Sequence, residues 1–188
     1  MNKRRVYQWR GVGWRSLEVL RIEPSPTGFD VRADIVHAGH TPFAATYDWM
    51  LDQSWRTIGL RLSVRGDETR TMSIERSSDA SWRVDGRERA DLSGCEEIDL
   101  SITPFCNTLA LLRFGAPPGG AGELTTLYVQ FPDLSLTSSR QRYEQTGPTE
   151  FLYVDLGLYS GFTAKLTVDA DGFVRNYEKL FVRIDDMS

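Results

Sequence analysis

Hydrophobic and polar residues alternate along most of the chain with a period of two, the spacing of side chains on one face of a β-strand. The alternation is cleanest between Ile58 and Val64, where every second residue is aliphatic. Each such segment therefore has one apolar face and one polar face. The pattern predicts strands at Ile58–Val64, Met72–Arg76, Ile98–Ile102, Leu127–Phe131 and Phe162–Val168.

Turn-forming residues separate the predicted strands every 8 to 15 residues. Arg65-Gly66-Asp67-Glu68, Asp85-Gly86 and Asp169-Ala170-Asp171-Gly172 have the composition of tight hairpin turns. The segment Asn107–Phe114 fits a helix and a strand equally well. Gly and Pro dominate Ala116–Gly122, which predicts a flexible surface loop.

About a dozen short strands with few helical segments predict an all-β fold, and such a sheet must close on itself or protect its edges. A barrel, a sandwich and a rolled sheet all meet that requirement. A curved sheet can hold a cavity for one small ligand or be filled by its own side chains. We expect one interior to receive seven aliphatic side chains: Ile58, Leu60, Leu62, Val64, Ile98, Leu100 and Ile102.

Length and composition favour one domain over residues 1–188 with a packed core, since 40% of the residues are hydrophobic and five are Trp. A net charge of -4 offers no basic surface for nucleic acid. The basic N-terminus lacks the apolar segment of a signal peptide, and no apolar run has the roughly 20 residues of a membrane-spanning helix. These features predict a cytoplasmic protein, in which Cys95 and Cys106 are reduced and buried.

The sequence shows no motif for a metal, a cofactor or a catalytic nucleophile. His37 and His40 share one predicted loop with too few further ligands for zinc. No Gly-x-Ser-x-Gly motif supports a catalytic triad, and Gly11 and Gly13 lack the third glycine and the βαβ unit of a dinucleotide site. We therefore expect no metal, no cofactor and no catalytic residues, and binding is favoured over catalysis.

A series of short motifs extends from Trp82 to the C-terminal region. It comprises Trp82-Arg83-Val84-Asp85-Gly86, Ile98-Asp99-Leu100, Thr103-Pro104-Phe105, Asn107-Thr108-Leu109, Phe131-Pro132-Asp133-Leu134, Gln141-x-Tyr143, Phe162-Thr163-Ala164-x-Leu166-Thr167-Val168-Asp169, Gly172-Phe173-Val174 and Tyr177 to Arg183. In order and spacing these motifs resemble the bacterial family described as "putative glycolipid-binding".

The resemblance implies a single curved antiparallel sheet rolled into a spiral β-roll or open barrel, similar to the carriers that localise bacterial lipoproteins. It also implies that an apolar cavity holds a lipid or glycolipid as the protein's partner. The candidate ligand-binding residues are the polar and aromatic members of the matching motifs and their neighbours: Trp82, Arg83, Asp85, Asn107, Arg113, Gln141, Tyr143, Tyr153, Tyr177 and Arg183.

Two other functions fit the same sequence. The protein could be a hydrolase or an isomerase that acts on a small amphipathic substrate, with Asp85 or Asp99 as general base. It could also be a packed β domain that binds a protein partner through an edge strand.

Overall fold

A computed structural model describes residues 4–114 and 120–184 of the chain. One sheet of fifteen strands contains almost all of the regular structure. The strands are β1 (Arg5–Gly11), β2 (Arg15–Ser25), β3 (Gly28–Ala38), β4 (Phe43–Asp52), β5 (Thr57–Arg65), β6 (Thr69–Arg76), β7 (Trp82–Val84), β8 (Arg87–Glu88), β9 (Glu97–Leu100), β10 (Ala121–Gln130), β11 (Ser135–Gly147), β12 (Glu150–Asp155), β13 (Thr163–Val168), β14 (Val174–Tyr177) and β15 (Phe181–Arg183). An α-helix, α1 (Phe105–Phe114), and a 3-10 turn (Ala90–Leu92) complete the described elements.

The sheet is open and curved, which confirms the predicted all-β class. Its strand order is β8-β7-β6-β5-β4-β3-β2-β1-β15-β14-β13-β12-β11-β10-β9, so the first and last strands of the chain pair in the middle of the sheet. All neighbouring strands are antiparallel except β9 and β10, which run parallel. No helix in the described ranges is both long and apolar enough to cross a membrane.

Both edges of the sheet are protected. The edge strand β8 has only two residues, Arg87 and Glu88, and both are exposed charged side chains. On the other edge strand, β9, side chains accept the amide hydrogens that do not reach β10. The amide of Leu100 donates to Cys106 Sγ at 3.1 Å, and that of Ile98 donates to Glu97 Oε1 at 3.1 Å. A short charged edge and an edge with satisfied amides both discourage pairing with another chain.

The concave face of the sheet is packed with aromatic side chains, three of which are fully buried tryptophans. Each of these indole N–H groups has an acceptor elsewhere in the chain: Trp9 donates to the Val174 carbonyl, Trp49 to Thr57 Oγ1 and Trp82 to the Cys95 carbonyl, all at 2.9 Å. Burial of these rings removes apolar surface from water without leaving a polar group unsatisfied. Cys95 and Cys106 are free and buried, as predicted.

Helix α1 lies against the concave face, and almost every described side chain in it is buried. Pro104 precedes its first residue, where a missing amide hydrogen costs nothing, and Thr103 Oγ1 accepts the amide of Phe105 at 3.1 Å. The Trp49 and Phe105 rings pack edge to face, with centroids 5.8 Å apart. The segment that fitted a helix and a strand equally well is therefore a helix, because its residues fill the inside of the curved sheet.

Every predicted strand overlaps a strand of the structure, and the three predicted turns link consecutive strands. The ends agree to within two residues, except that β6 begins three residues and β10 six residues earlier than predicted. Asp85 and Gly86 both have positive φ angles, 49° and 76°, as a two-residue hairpin turn requires. Strand β9 ends at Leu100 rather than Ile102, because the chain turns there toward α1. Of the predicted loop Ala116–Gly122, residues 116–119 lie outside the described residues, and Ala121 and Gly122 belong to β10.

The prediction that Ile58 faces the interior is wrong. The register between β4 and β5 shifts so that Met50 pairs with Gly59 and Leu51 with Thr57, which leaves Ile58 as the extra residue of a β-bulge. Thr57 consequently points inward and Ile58 is 37% exposed. The other six aliphatic residues of that prediction are buried.

The bulge predicts different stability effects for two residues in one strand. Leu60→Ala removes a side chain that is 1% exposed and should lower the free energy of unfolding by about 2–5 kcal/mol. Ile58→Ala, two positions earlier, should cost about 1 kcal/mol or less. Urea denaturation of both variants checks this, and equal losses would contradict the bulge.

Candidate functional site

A cleft of about 470 Å³ lies on the concave side of the sheet. It separates two clusters of buried hydrophobic residues, one built mainly on β1–β7, β9, α1 and β10 and the other mainly on β11–β15. Apolar side chains from the first cluster form one wall: Phe43, Leu100, Ile102 and Phe131. Residues of the second cluster or packed against it form the opposite wall: Trp14, Phe162, Leu180 and Phe181.

Polar side chains from five elements also line this cleft. Asp99 follows Ile98 on β9, Asn107 is in the first turn of α1, and Tyr128 is on β10. Tyr153 and Asp155 occupy one face of β12, and Tyr177 ends β14. A cavity with mostly apolar walls and a few convergent polar groups is the usual form of a small-molecule site.

A chain of hydrogen bonds holds the polar groups in place. The Gln141 amide nitrogen donates to Asp99 Oδ2. Tyr143 donates its hydroxyl hydrogen to Gln141 Oε1 at 3.1 Å, and the Asn107 amide nitrogen donates to the Tyr143 hydroxyl oxygen at 2.8 Å. Gln141 and Tyr143 lie behind the lining, so they orient Asp99 and Asn107 without reaching the cleft.

Burial raises the pKa of the Asp99 carboxyl to about 6, and the neighbouring Asp155 adds to this rise. The hydrogen bond from Gln141 opposes it. Asp99 is therefore ionised at neutral pH but takes up a proton in mildly acidic solution. Burial also raises the pKa of the Cys106 thiol well above its usual value, so this cysteine stays protonated.

Asp155 fixes a loop at the rim of the cleft. Its Oδ1 accepts the backbone amides of Gly157 at 2.7 Å and Tyr159 at 3.1 Å. Gly157 lies so close to β11 that an added Cβ would come within 2.4 Å of Ser139 Oγ and 2.7 Å of the Arg140 nitrogen. The loop brings Tyr159, 56% exposed, against Tyr128 with ring centroids 6.3 Å apart.

Glu18 is a buried carboxyl group behind the Thr103 side of the cleft. Glu18 Oε1 on β2 accepts hydrogen bonds from the Tyr47 hydroxyl at 2.7 Å and the Thr103 hydroxyl at 2.9 Å. Glu18 Oε2 is buried without a partner among the described residues. Burial raises the pKa of Glu18 to about 7, although both hydrogen bonds act in the opposite direction.

The structure brings together five of the ten candidate residues named from the sequence. Asn107, Tyr153 and Tyr177 line the cleft, and Gln141 and Tyr143 support them.

The other five candidates lie outside the cleft lining, and four of them make structural contacts. Trp82 is buried, Arg83 is exposed on β7, and Asp85 accepts the Ser73 amide at a hairpin turn. Arg113 pairs with Glu96 at 3.0 Å, and Arg183 pairs with Asp169 at 2.7 Å.

Sequence reasoning did not single out Asp155, Tyr128 or Gln130 for the site, although all three line the cleft. A signal for Asp155 was present in the alternation, because it lies two residues after Tyr153 and therefore on the inward face of β12. Within residues 4–114 and 120–184, no three His, Cys, Asp or Glu side chains are placed to share a metal ion.

The molecule is therefore an all-β protein whose open curved sheet has, on its concave side, a cleft of the size of small-molecule sites. The model of the family described as "Putative glycolipid-binding" matches residues 6–183, and the chain belongs to that family. This confirms the resemblance noted in the sequence and extends it to the N-terminal strands.

The fold is also similar to the crystal structure of a DUF1089 family protein from Pseudomonas aeruginosa. The two chains are 28% identical and superpose with a TM-score of 0.82, over 90% of this chain and 92% of the other. No functionally curated protein matches the sequence.

The raised pKa of Glu18 predicts that the protein is less stable at alkaline than at acidic pH. The folded-state pKa of about 7 lies above the ordinary value of 4.5, so folding favours the protonated form. The free energy of unfolding should therefore fall as the pH rises from about 5 to 8, with about 3 kcal/mol of the fall due to Glu18.

Urea denaturation at several pH values measures this slope. In Glu18→Gln the fall in the free energy of unfolding between about pH 5 and 8 should be smaller by about 3 kcal/mol. Glu88→Gln, on the exposed edge strand, should show the same fall as wild type. An unchanged slope in Glu18→Gln would show that Glu18 does not bind its proton in this window.

Proposed function

We propose that the protein binds an amphipathic lipid or glycolipid in the cleft between its two hydrophobic clusters. The observation that carries the proposal is the combination of aromatic and aliphatic walls with one set of fixed polar groups inside a cleft of about 470 Å³. That volume lies within the range of small-molecule sites. The family description supports the same class of ligand.

The apolar walls would take the acyl chain. On one wall the ring centroids of Phe43 and Phe131 are 6.4 Å apart. On the other wall the Trp14 ring packs edge to face on Phe181, with centroids 5.2 Å apart. Each methylene removed from water between them would contribute roughly 0.8 kcal/mol, so a short chain is enough for measurable binding. We propose that the curved sheet forms a spiral roll, which would enclose the acyl chain of the ligand.

The polar groups would take the head group. Asn107, Tyr153 and Tyr177 would contact it directly, and Gln141 and Tyr143 would hold Asp99 and Asn107 in position. Orientation by buried hydrogen-bond partners lowers the entropy lost on binding. The buried Trp82 and the paired Arg113 and Arg183 would act on the site only through the stability of the fold.

The uncharged dye Nile red tests this proposal by its fluorescence. We expect saturable binding and displacement by n-octyl glucoside below its critical micelle concentration. Ser101→Trp and Leu180→Trp add bulk to the cleft from different sides and should each abolish dye binding.

Ser138→Trp, on an exposed position of β11, is the matched control and should bind the dye normally. Circular dichroism shows whether each variant is folded. Normal dye binding by both folded cleft variants would reject the proposal and favour a protein partner on the outer surface.

One observation favours a second candidate function, that of a hydrolase or isomerase. Asp99 combines a raised pKa with a position on the cleft, as a general base does. Asp85, the other carboxylate considered for this role, lies in an exposed turn instead. Release of nitrophenol from p-nitrophenyl octanoate and p-nitrophenyl glucoside, compared between wild type and Asp99→Asn, tests catalysis, and turnover equal in both proteins would exclude Asp99.

A further inference from the structure

The polar groups of the cleft present hydrogen-bond acceptors to whatever enters it. Asp99 and Asp155 contribute carboxylates. Asn107, only 4% exposed, uses its amide nitrogen on Tyr143, and no described residue donates to its Oδ1. A side-chain carbonyl oxygen that lines a cleft and has no donor from the protein can accept a hydrogen bond from water or from a ligand.

No lysine or arginine among the described residues lines the cleft. Arg113 and Arg183, the nearest candidates from the sequence, are held by Glu96 and Asp169. Within residues 4–114 and 120–184, the one basic side chain in the lining is His37, whose ring stacks on that of Phe43 with centroids 4.7 Å apart, on the apolar Phe131 side. The Asp99 carboxylate therefore has no cation beside it to attract an anionic group.

An anionic head group would bring further acceptors and a like charge to these carboxylates. A phosphate, sulfate or carboxylate would lose its hydration and find no cation in exchange, which opposes its transfer into the cleft. A hydroxyl group would donate to Asp99 or to Asn107 Oδ1 and accept from a tyrosine hydroxyl. The geometry therefore discriminates between head groups by charge.

On the basis of the proposed binding function, we infer that the cleft selects amphiphiles with an uncharged, hydroxyl-rich head group and rejects those with an anionic one. The Asp99 carboxylate and Asn107 Oδ1 would accept hydrogen bonds from the hydroxyl groups of the ligand. Asp99 is the principal source of the rejection, because it is partly exposed to the cleft. Both Asp155 oxygens already accept hydrogen bonds, one from the loop amides and the other from the Tyr153 hydroxyl.

A matched pair of ligands tests the inference by displacement of Nile red at about pH 7.5. Octyl glucoside and octyl glucuronide share the same chain and ring and differ by a hydroxymethyl group against a carboxylate. We expect the glucuronide to compete at least about tenfold more weakly than the glucoside.

Asp99→Asn keeps the shape of the side chain and removes its charge. In this variant the two ligands should displace Nile red at concentrations within about threefold of each other. Asp30→Asn on the exposed face of β3 is the control and should preserve the wild-type ratio. If Asp99→Asn does not fold, the ratio measured on wild type decides the inference by itself.

Equal competition by the two ligands, or tighter binding of the glucuronide, would overturn the inference and leave the binding function standing. Failure of both ligands to displace a dye that does bind would overturn it as well, because the recognised head group would then be of another class. Absence of saturable dye binding would instead reject the binding function and the inference with it.

Discussion

The pairing of β1 with β15 is the constraint on which the rest of the structure depends. Trp9, Arg10 and Gly11 pair with Arg183, Val182 and Phe181, and backbone bonds from Val12 to Leu180 (2.8 Å) and from Ile184 to Gln8 (2.9 Å) extend the ladder. This short ladder joins an N-terminal and a C-terminal meander into one sheet. The two hydrophobic clusters, and the cleft between them, depend on that connection.

The cleft shows how the protein accommodates polar groups inside an apolar interior. Asp99, Gln141, Tyr143 and Asn107 form one hydrogen-bonded chain, so the desolvation of each is partly offset by the next. Glu18 is the opposite case, because one of its oxygens is buried without a partner in the described part of the chain and its pKa rises to about 7. The two carboxyl groups thus differ in their support: Asp99 lies at the cleft within a hydrogen-bonded chain, whereas Glu18 lies behind the cleft.

Local pattern predicted the strands well, because alternation and turn chemistry are properties of neighbouring residues. The bulge at Ile58 was not predictable, since it depends on how β5 registers against β4. The site was predicted in part for a similar reason. Asn107, Tyr177 and Arg183 belong to recognisable motifs, yet Arg183 is held away from the cleft by Asp169, a partner distant in the sequence. Arg113 is held away by Glu96 in the same manner.

The position of Trp14 has a consequence for how the molecule can be observed. This ring lines the cleft, whereas Trp9, Trp49 and Trp82 are sealed in the core and Trp55 is stacked on Phe29 at 4.1 Å. An indole's emission responds to the polarity around it, so four of the five tryptophans form a constant background and one reports on the contents of the cleft. Trp14 is thus an intrinsic fluorescence probe of the cleft.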